Sequence, residues 1–457
     1  MAGIGFELNK ILQKGTLGSI LKVFLLGTII VAGPWILSIL SIYVIQKYAY
    51  MAISEDPTLF TVSIVYVYAF SLIIFGGIHY LFSRYIADMM YIENREAIPS
   101  ALLTVFTIIL ILSIAISSIF ISLNSFSILS YPRLYKYSLI ILFIVTNLIW
   151  IMLIYVALLK EYYKIFVSYL LGVVVSVVGV LYFGKQYGVA GALLGYSLGQ
   201  AVIVILLLII AQRSYPLKRF NLNTQIFIYF KEFRYLFLIG IFFNFGIWID
   251  KIFYWYILGE NIEGTLFFYY SNYDIPVFLA YITMIPGLVY FLVVSEPIFH
   301  TAYTEFIKNI LEDNITTIYR KKNNMIRSLK NGVSQLLLFQ GVWTIGLVMN
   351  TENFLSFMGY QYIDSTITGI LIIAVFFHMT ALTFQIYLLY LELRKEALIS
   401  TIVYFAVNTV LTLVLILSHL DLPGISYMIA ALFSSLYSIN HIVRKIPIID
   451  YIIFNKT

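Results

Sequence analysis

The sequence predicts an all-α polytopic membrane protein with about twelve transmembrane helices in two six-helix bundles. Three observations carry this. Apolar stretches of roughly 20 residues follow one another along nearly the whole chain, the length that spans a hydrocarbon core of about 30 Å as helix. Hydrophobic residues make up 61% of the 457 residues and charged residues 11%. The mean hydropathy is +0.95. A water-facing surface uses about 25% charged residues, so this chain cannot clothe a soluble domain. The third observation is that the basic residues fall almost entirely on alternate connectors. Membrane strands are excluded because the runs are too long and do not alternate.

The expected spans are 20–45, 60–82, 100–122, 138–159, 165–184, 189–211, 235–258, 276–298, 331–349, 366–390, 398–418 and 424–442. The first lacks a small-residue cleavage site and continues as a full span, so no cleaved leader is expected. Placing the N-terminus inside puts 23 of the 28 Lys and Arg on inner connectors and only Lys47, Arg133, Lys136 and Lys185 outside, with Lys251 within a span. This bias predicts that both termini are cytoplasmic. The net charge of +6 is therefore a topology signal, and no soluble basic module for nucleic acid is expected.

The domain reading is a 1–19 interfacial segment, a first bundle 20–211, a basic connector 212–234, a second bundle 235–442 and a tail 443–457. The connector 299–330 places Phe306, Ile310, Ile315, Ile318 and Tyr319 among charges near helical spacing. It reads as an amphipathic helix on the inner leaflet or against a partner. Gly188–Leu193 and Leu422–Tyr427 form Gly-containing outer hairpins at matching places in the two halves. This repetition predicts a parallel six-span duplication with the substrate path between the halves.

Ionisable residues inside spans are costly and therefore functional candidates. Asp250 and Lys251 stand in Asn244–Trp255, which also contains Trp248 and Tyr254. Asp250 lies about 15 residues, roughly 22 Å, along its helix. Neighbours on a helix point about 100° apart, so the two are expected not to pair, one facing a lumen and the other snorkelling. The carboxylate could bond sugar hydroxyls, attract an amine or carry a coupling proton. The plain alternative is a lock between helices. Gly33-Pro34-Trp35 breaks span one, as a hinge or a cavity wall. Glu296 is expected to pair with a basic connector residue, and His79, His378 and His441 to be interhelical or interfacial. No metal-ligand spacing, phosphate-cradling loop or nucleophile motif is present, so neither a cofactor nor an enzyme is expected. The absence of cysteine removes thiol chemistry. The 38 Tyr, 36 Phe and 5 Trp suit a sugar path as well as interfacial belts.

The opening Met1-Ala2-Gly3-Ile4-Gly5-Phe6-Glu7-Leu8, the Gly33-Pro34-Trp35 break, Gly246-Ile247-Trp248-Ile249-Asp250-Lys251 and Tyr273–Tyr281 with Ile285-Pro286-Gly287 and Glu296 resemble the PelG family. Its members are polytopic components of Pel exopolysaccharide systems. The resemblance runs along the whole chain. It implies a flippase/MATE-like fold that exports a polymer rich in N-acetylgalactosamine and galactosamine. It also implies a cytoplasmic glycosyltransferase that uses a UDP-N-acetylhexosamine, and membrane partners including a cyclic-di-GMP-sensing protein. On that reading Asp250, Lys251, Asn244, Trp248, Tyr254, Trp255, Asp274, Pro34 and Trp35 are substrate-path candidates. Lys218, Arg219, Arg320, Lys321 and Lys322 are docking candidates for the glycosyltransferase. An ion-coupled flippase for lipid-linked oligosaccharide and a non-transporting scaffold of the synthase stay open as alternatives.

Overall fold

A computed structural model describes residues 12, 15–31, 57–127, 129–159, 161–217, 221–312, 314–420 and 422–454. Helices account for nearly all of it. They are α1 (Leu17–Val31), α2 (Thr58–Tyr91), α3 (Ala97–Ser122), α4 (Pro132–Leu158), α5 (Tyr162–Ser214), α6 (Gln225–Glu232) and α7 (Arg234–Phe253). After a two-stranded hairpin, Glu260–Asn261 with Phe268–Tyr269, come α8 (Ser271–Ile282), α9 (Ile285–Tyr290), α10 (Glu296–Glu312), α11 (Ile315–Val348) and α12 (Thr351–Met358). The chain closes with α13 (Ser365–Tyr390), α14 (Arg394–Leu417), α15 (Ile425–Lys445) and α16 (Ile449–Phe454). The all-α polytopic architecture is as the sequence predicts.

Among the described residues eight helices are long and apolar enough to cross a membrane, or nine if α11 and α12, bent by 81°, form one span. The difference from twelve has identifiable sources. Span one runs out of the described residues after Val31. Helix α5 carries two expected spans, since its 53 residues would reach about 80 Å if straight. It folds back at Tyr187 and Gly188, where Gly188 has φ 58° and ψ −141°, a conformation that a side chain disfavours. The second hairpin turns on Gly424 at φ 95°. Helix α15 dilutes its apolar run with Ser426, Ser434, Ser435, Ser438, Asn440 and His441.

Contacts divide the chain into two compact units. One, the N-unit, comprises Gly33–Asn244 and Trp255–Tyr269. The other, the C-unit, comprises Met1–Ala32, Phe245–Tyr254 and Tyr270–Thr457. Helix α1, expected with the first bundle, packs in the C-unit, where the Phe24 and Phe339 rings lie 5.9 Å apart. A Cβ at its Gly27 would come within 2.8 Å of Val289. In the N-unit the two arms of α5 meet through small residues, because without water-driven burial helices associate best where backbones approach closely. A Cβ on Gly179 would lie 2.8 Å from the Gly195 Cα. The β-hairpin sits against the same unit: the Tyr66 hydroxyl donates to the Phe268 carbonyl and accepts from its N–H, both at 3.0 Å. The Trp255 ring stacks on Tyr66 at 4.7 Å.

The connector 299–330 departs from expectation. It forms the arms of a helical hairpin in which α10 and α11 extend past their spans and pack on each other. Phe306 and Met325 are wholly buried there, while Ile315 and Tyr319 stay exposed. Part of the apolar pattern is thus met by the partner arm.

Gly195→Val should overpack the α5 interface and cost about 1–3 kcal/mol or more. A lowered melting temperature of the detergent-solubilised protein checks this, with Gly346→Val, whose Cβ would meet nothing within 4 Å, as the neutral control.

Candidate functional site

The C-unit encloses one ammonium and one carboxylate side by side. Asp250 is 0% and Lys251 2% exposed. The Lys251 ammonium donates to both Asp250 carboxylate oxygens at 3.2 Å and to the Ile247 carbonyl at 2.8 Å. The expectation that neighbours in sequence cannot pair is thus overturned. The four-carbon lysine stem curls back toward its own preceding turn, and this brings the charge to Asp250 although the two Cβ vectors diverge. Both side chains are enclosed by protein. The Asp250 carboxylate also accepts from the Tyr273 hydroxyl.

Aromatic rings surround the ammonium. Its nitrogen lies 4.8 Å from the Tyr427 ring centre, 5.7 Å from Tyr273, 5.9 Å from Tyr281 and 6.0 Å from Trp248. Ring faces stabilise a desolvated cation, and Tyr additionally supplies a polar tip that must find a partner when buried. Tyr281 and Tyr427 share a hydrogen bond of 2.8 Å, and His378 Nδ1 shares one of 3.0 Å with the Tyr404 hydroxyl. His378 stacks on Tyr427 at 5.7 Å. Asn408 donates to the Gly246 carbonyl at 2.9 Å, and a Cβ on Gly246 would meet the Tyr404 ring at 2.6 Å. Five helices, α7, α8, α13, α14 and α15, are therefore tied by one polar hub. Just beyond it α7 widens into a π-helical turn at Tyr254–Leu258, a distortion frequent at functional sites.

Of the substrate-path candidates, Asp250, Lys251 and Trp248 meet in this hub, and Tyr254 joins it by packing on Tyr273 at 4.6 Å. Asn244 and Trp255 belong to the N-unit. Asn244 donates back to the Gly240 carbonyl at 2.7 Å, and Trp255 is 1% exposed in its stack on Tyr66. Asp274 works at the start of α8, where its carboxylate accepts the Tyr270 N–H at 3.0 Å. Pro34 and Trp35 lie outside the described residues. Glu296 accepts from the Tyr390 hydroxyl at 2.8 Å rather than pairing with a basic connector residue.

His378 is interhelical, as expected, bonding from α13 to Tyr404 of α14, whereas Tyr273, Tyr281, Tyr404, Asn408 and Tyr427 were not among the candidates. A signal existed for α14: Ser400, Tyr404, Asn408 and Thr412 recur every fourth residue within an apolar run, and all are buried. Such a stripe marks the protein-facing side of a span.

Two of the five docking candidates are engaged within the chain. Lys322 is 5% exposed, donating to the Pro447 carbonyl and, at 2.9 Å, to Asp450 of α16. Lys321 pairs with Glu305 at 2.6 Å across the helical hairpin. A hairpin with charged rows along both arms neutralises some of them internally before any partner arrives. Arg320 remains exposed, as do Arg327 and Lys330 on the same helix. Lys218 and Arg219 lie outside the described residues. Among the described residues no group of three or more His, Cys, Asp or Glu is placed to hold a metal ion.

Breaking a buried ion pair by removing one partner typically costs about 3–5 kcal/mol because the other charge stays buried. Asp250→Asn and Lys251→Met should each show such a loss in thermal stability, and the double variant should lose less than the sum. Additive losses would mean the two charges do not support one another.

The comparisons with known proteins agree with this architecture. The PelG family, described as "Putative exopolysaccharide Exporter (EPS-E)", matches residues 1–454. No curated protein matches the chain. Among solved structures, a MATE protein in the bent conformation aligns with a TM-score of 0.62 at 12% identity, covering 93% of this chain and 96% of that one. An outward-facing multidrug resistance MATE transporter of the MOP superfamily gives 0.59 at 12% identity with the same coverages. A MOP superfamily transporter from Pyrococcus furiosus gives 0.56 at 13% identity, again over 93% and 96%. At such identities these likenesses show the fold alone. With a family match that spans an all-α polytopic chain over residues 1–454, the chain belongs to the PelG family of exopolysaccharide exporters.

Proposed function

We propose that this chain is the passage by which a nascent exopolysaccharide rich in N-acetylgalactosamine and galactosamine crosses a bacterial inner membrane. A cytoplasmic glycosyltransferase elongates the polymer from a UDP-N-acetylhexosamine, and membrane partners, among them a cyclic-di-GMP-sensing protein, complete the assembly. The observation that carries this reading is the family match over residues 1–454. The chemistry of the hub is compatible with it. Asp250 already holds a resident cation in Lys251, so the carboxylate is poorly suited to cycle a coupling ion. Elongation itself can then push the polymer outward. Transport without catalysis is the corresponding role of the chain.

One observation favours the rival reading of an ion-coupled flippase for lipid-linked oligosaccharide. The fold is shared with MATE transporters. That reading requires the Asp250–Lys251 pair to open during the cycle.

The decisive experiment uses inside-out vesicles containing the glycosyltransferase and its membrane partners, with and without this protein. Labelled UDP-N-acetylhexosamine is added and polymer protected from an added glycosidase is counted. Protected polymer is expected only when the protein is present. Equal polymer that is wholly digestible would replace the passage with the flippase or scaffold reading. Docking is tested separately. Charge reversal at Arg320, Arg327 and Lys330 should weaken co-purification of the glycosyltransferase by roughly tenfold or more, since like charges facing each other cost several kcal/mol. Unchanged recovery would remove this helix face from the docking surface.

A further inference from the structure

The connector between α5 and α7 carries a feature that export does not require. Helix α6 has two unlike sides. Ile226 and Phe233, the latter just beyond its end, are buried against the N-unit, and Tyr229 packs edge-on to Tyr85 with ring centres 4.8 Å apart. The other side leaves Phe227 59% and Ile228 65% exposed, and Phe230, on the flank where its ring meets Phe237 at 4.7 Å, is still 44% exposed. Lys231 and Arg234 are exposed beside them, with Arg213 at the end of α5; the opposing charges are Glu232 and Asp88, the latter paired with Arg84 and accepting from the Tyr229 hydroxyl. Three large apolar side chains in so short a helix are costly to leave in water.

Its height along the bundle is fixed by hydrogen bonds. The Asn223 N–H donates to Thr104 Oγ1 at 2.7 Å, and the Asn223 side chain donates to the Tyr85 hydroxyl at 2.7 Å. The Tyr85 hydroxyl in turn donates to Gln225 at 3.4 Å. Tyr85 is six residues short of the end of α2 and Thr104 seven residues into α3. At 1.5 Å per residue the start of α6 is pinned about 10 Å in from the helix tips. With 34 and 26 residues, α2 and α3 both exceed the roughly 20 residues that span hydrocarbon. The tips therefore project beyond the apolar layer, and α6 stands at the level of its edge.

We infer that α6 is an interfacial helix bound to anionic lipid on the basic side of the membrane. Phe227, Ile228 and Phe230 enter the acyl boundary, and Lys231 and Arg234 extend their stems along it to reach phosphate groups. The depth of the helix favours lipid over a soluble partner, which would meet the projecting tips first. The inference holds whatever the protein transports. It assigns α6 itself, within the connector expected to receive the glycosyltransferase, to the bilayer.

The chain contains no cysteine, so single-cysteine variants label cleanly. Phe227→Cys, Ile228→Cys and Phe230→Cys, each carrying a nitroxide in the full-length protein, would be placed in nanodiscs of phosphatidylcholine alone or in equal parts with phosphatidylglycerol. Arg320→Cys and Arg327→Cys serve as aqueous controls. Collision with oxygen should exceed collision with a water-soluble nickel chelate several-fold at the three α6 positions, with the reverse at the controls. Phosphatidylglycerol should deepen the α6 labels, and Lys231→Gln with Arg234→Gln should remove that increment. Chelate access at 227, 228 and 230 equal to that at 327 would overturn the proposal. Protection that appears only when the glycosyltransferase is added would overturn it too, assigning the face to that protein. Labels that ignore phosphatidylglycerol would overturn the anionic-lipid specificity.

Discussion

The C-unit is organised around the cost of holding an ammonium and a carboxylate away from water. Neither Asp250 nor Lys251 can be tolerated there alone, and each recruits what the other leaves unsatisfied. The lysine takes a backbone carbonyl and ring faces; the aspartate takes a tyrosine hydroxyl. Those tyrosines are buried in turn, so their own hydroxyls and neighbours must be satisfied, which brings in Tyr281, His378 and Tyr404. The polar demand spreads until it reaches five helices. Packing between spans in this unit is dictated by hydrogen-bond accounting as much as by shape.

The fold class, the expected spans and the two glycine hairpins were legible because they rest on length, hydropathy and backbone freedom, which one chain displays. The hub was legible only in part. Asp250 and Lys251 stood out as charges in an apolar run. Their pairing did not, because a side-chain vector says little about where a flexible stem ends. Tyr273, Tyr281 and Tyr427 were hidden among 38 tyrosines, where composition gives no contrast. Ser400, Tyr404, Asn408 and Thr412 were hidden differently, since a four-residue polar period is visible once it is sought. The helical hairpin of α10 and α11 was misjudged because an amphipathic pattern specifies a buried face without saying what buries it.

Fold and family contribute different things here. The MATE-like neighbours share an architecture at 11–15% identity, and an architecture can host many cargoes. The family match narrows the cargo to exopolysaccharide. Within that frame this chain holds a charge pair that is closed on itself and enclosed by aromatic rings.

The burial of Lys322 against Pro447 and Asp450 has a consequence in time. The lysine leaves the ribosome 125 residues before Pro447. Throughout that interval its ammonium must stay hydrated, and the hairpin built by α10 and α11 keeps one of its packing positions wet. The two arms can pack on each other at once, through Phe306, Met325 and the Lys321–Glu305 pair. Only the corner around Lys322 must stay open until the last spans have been made.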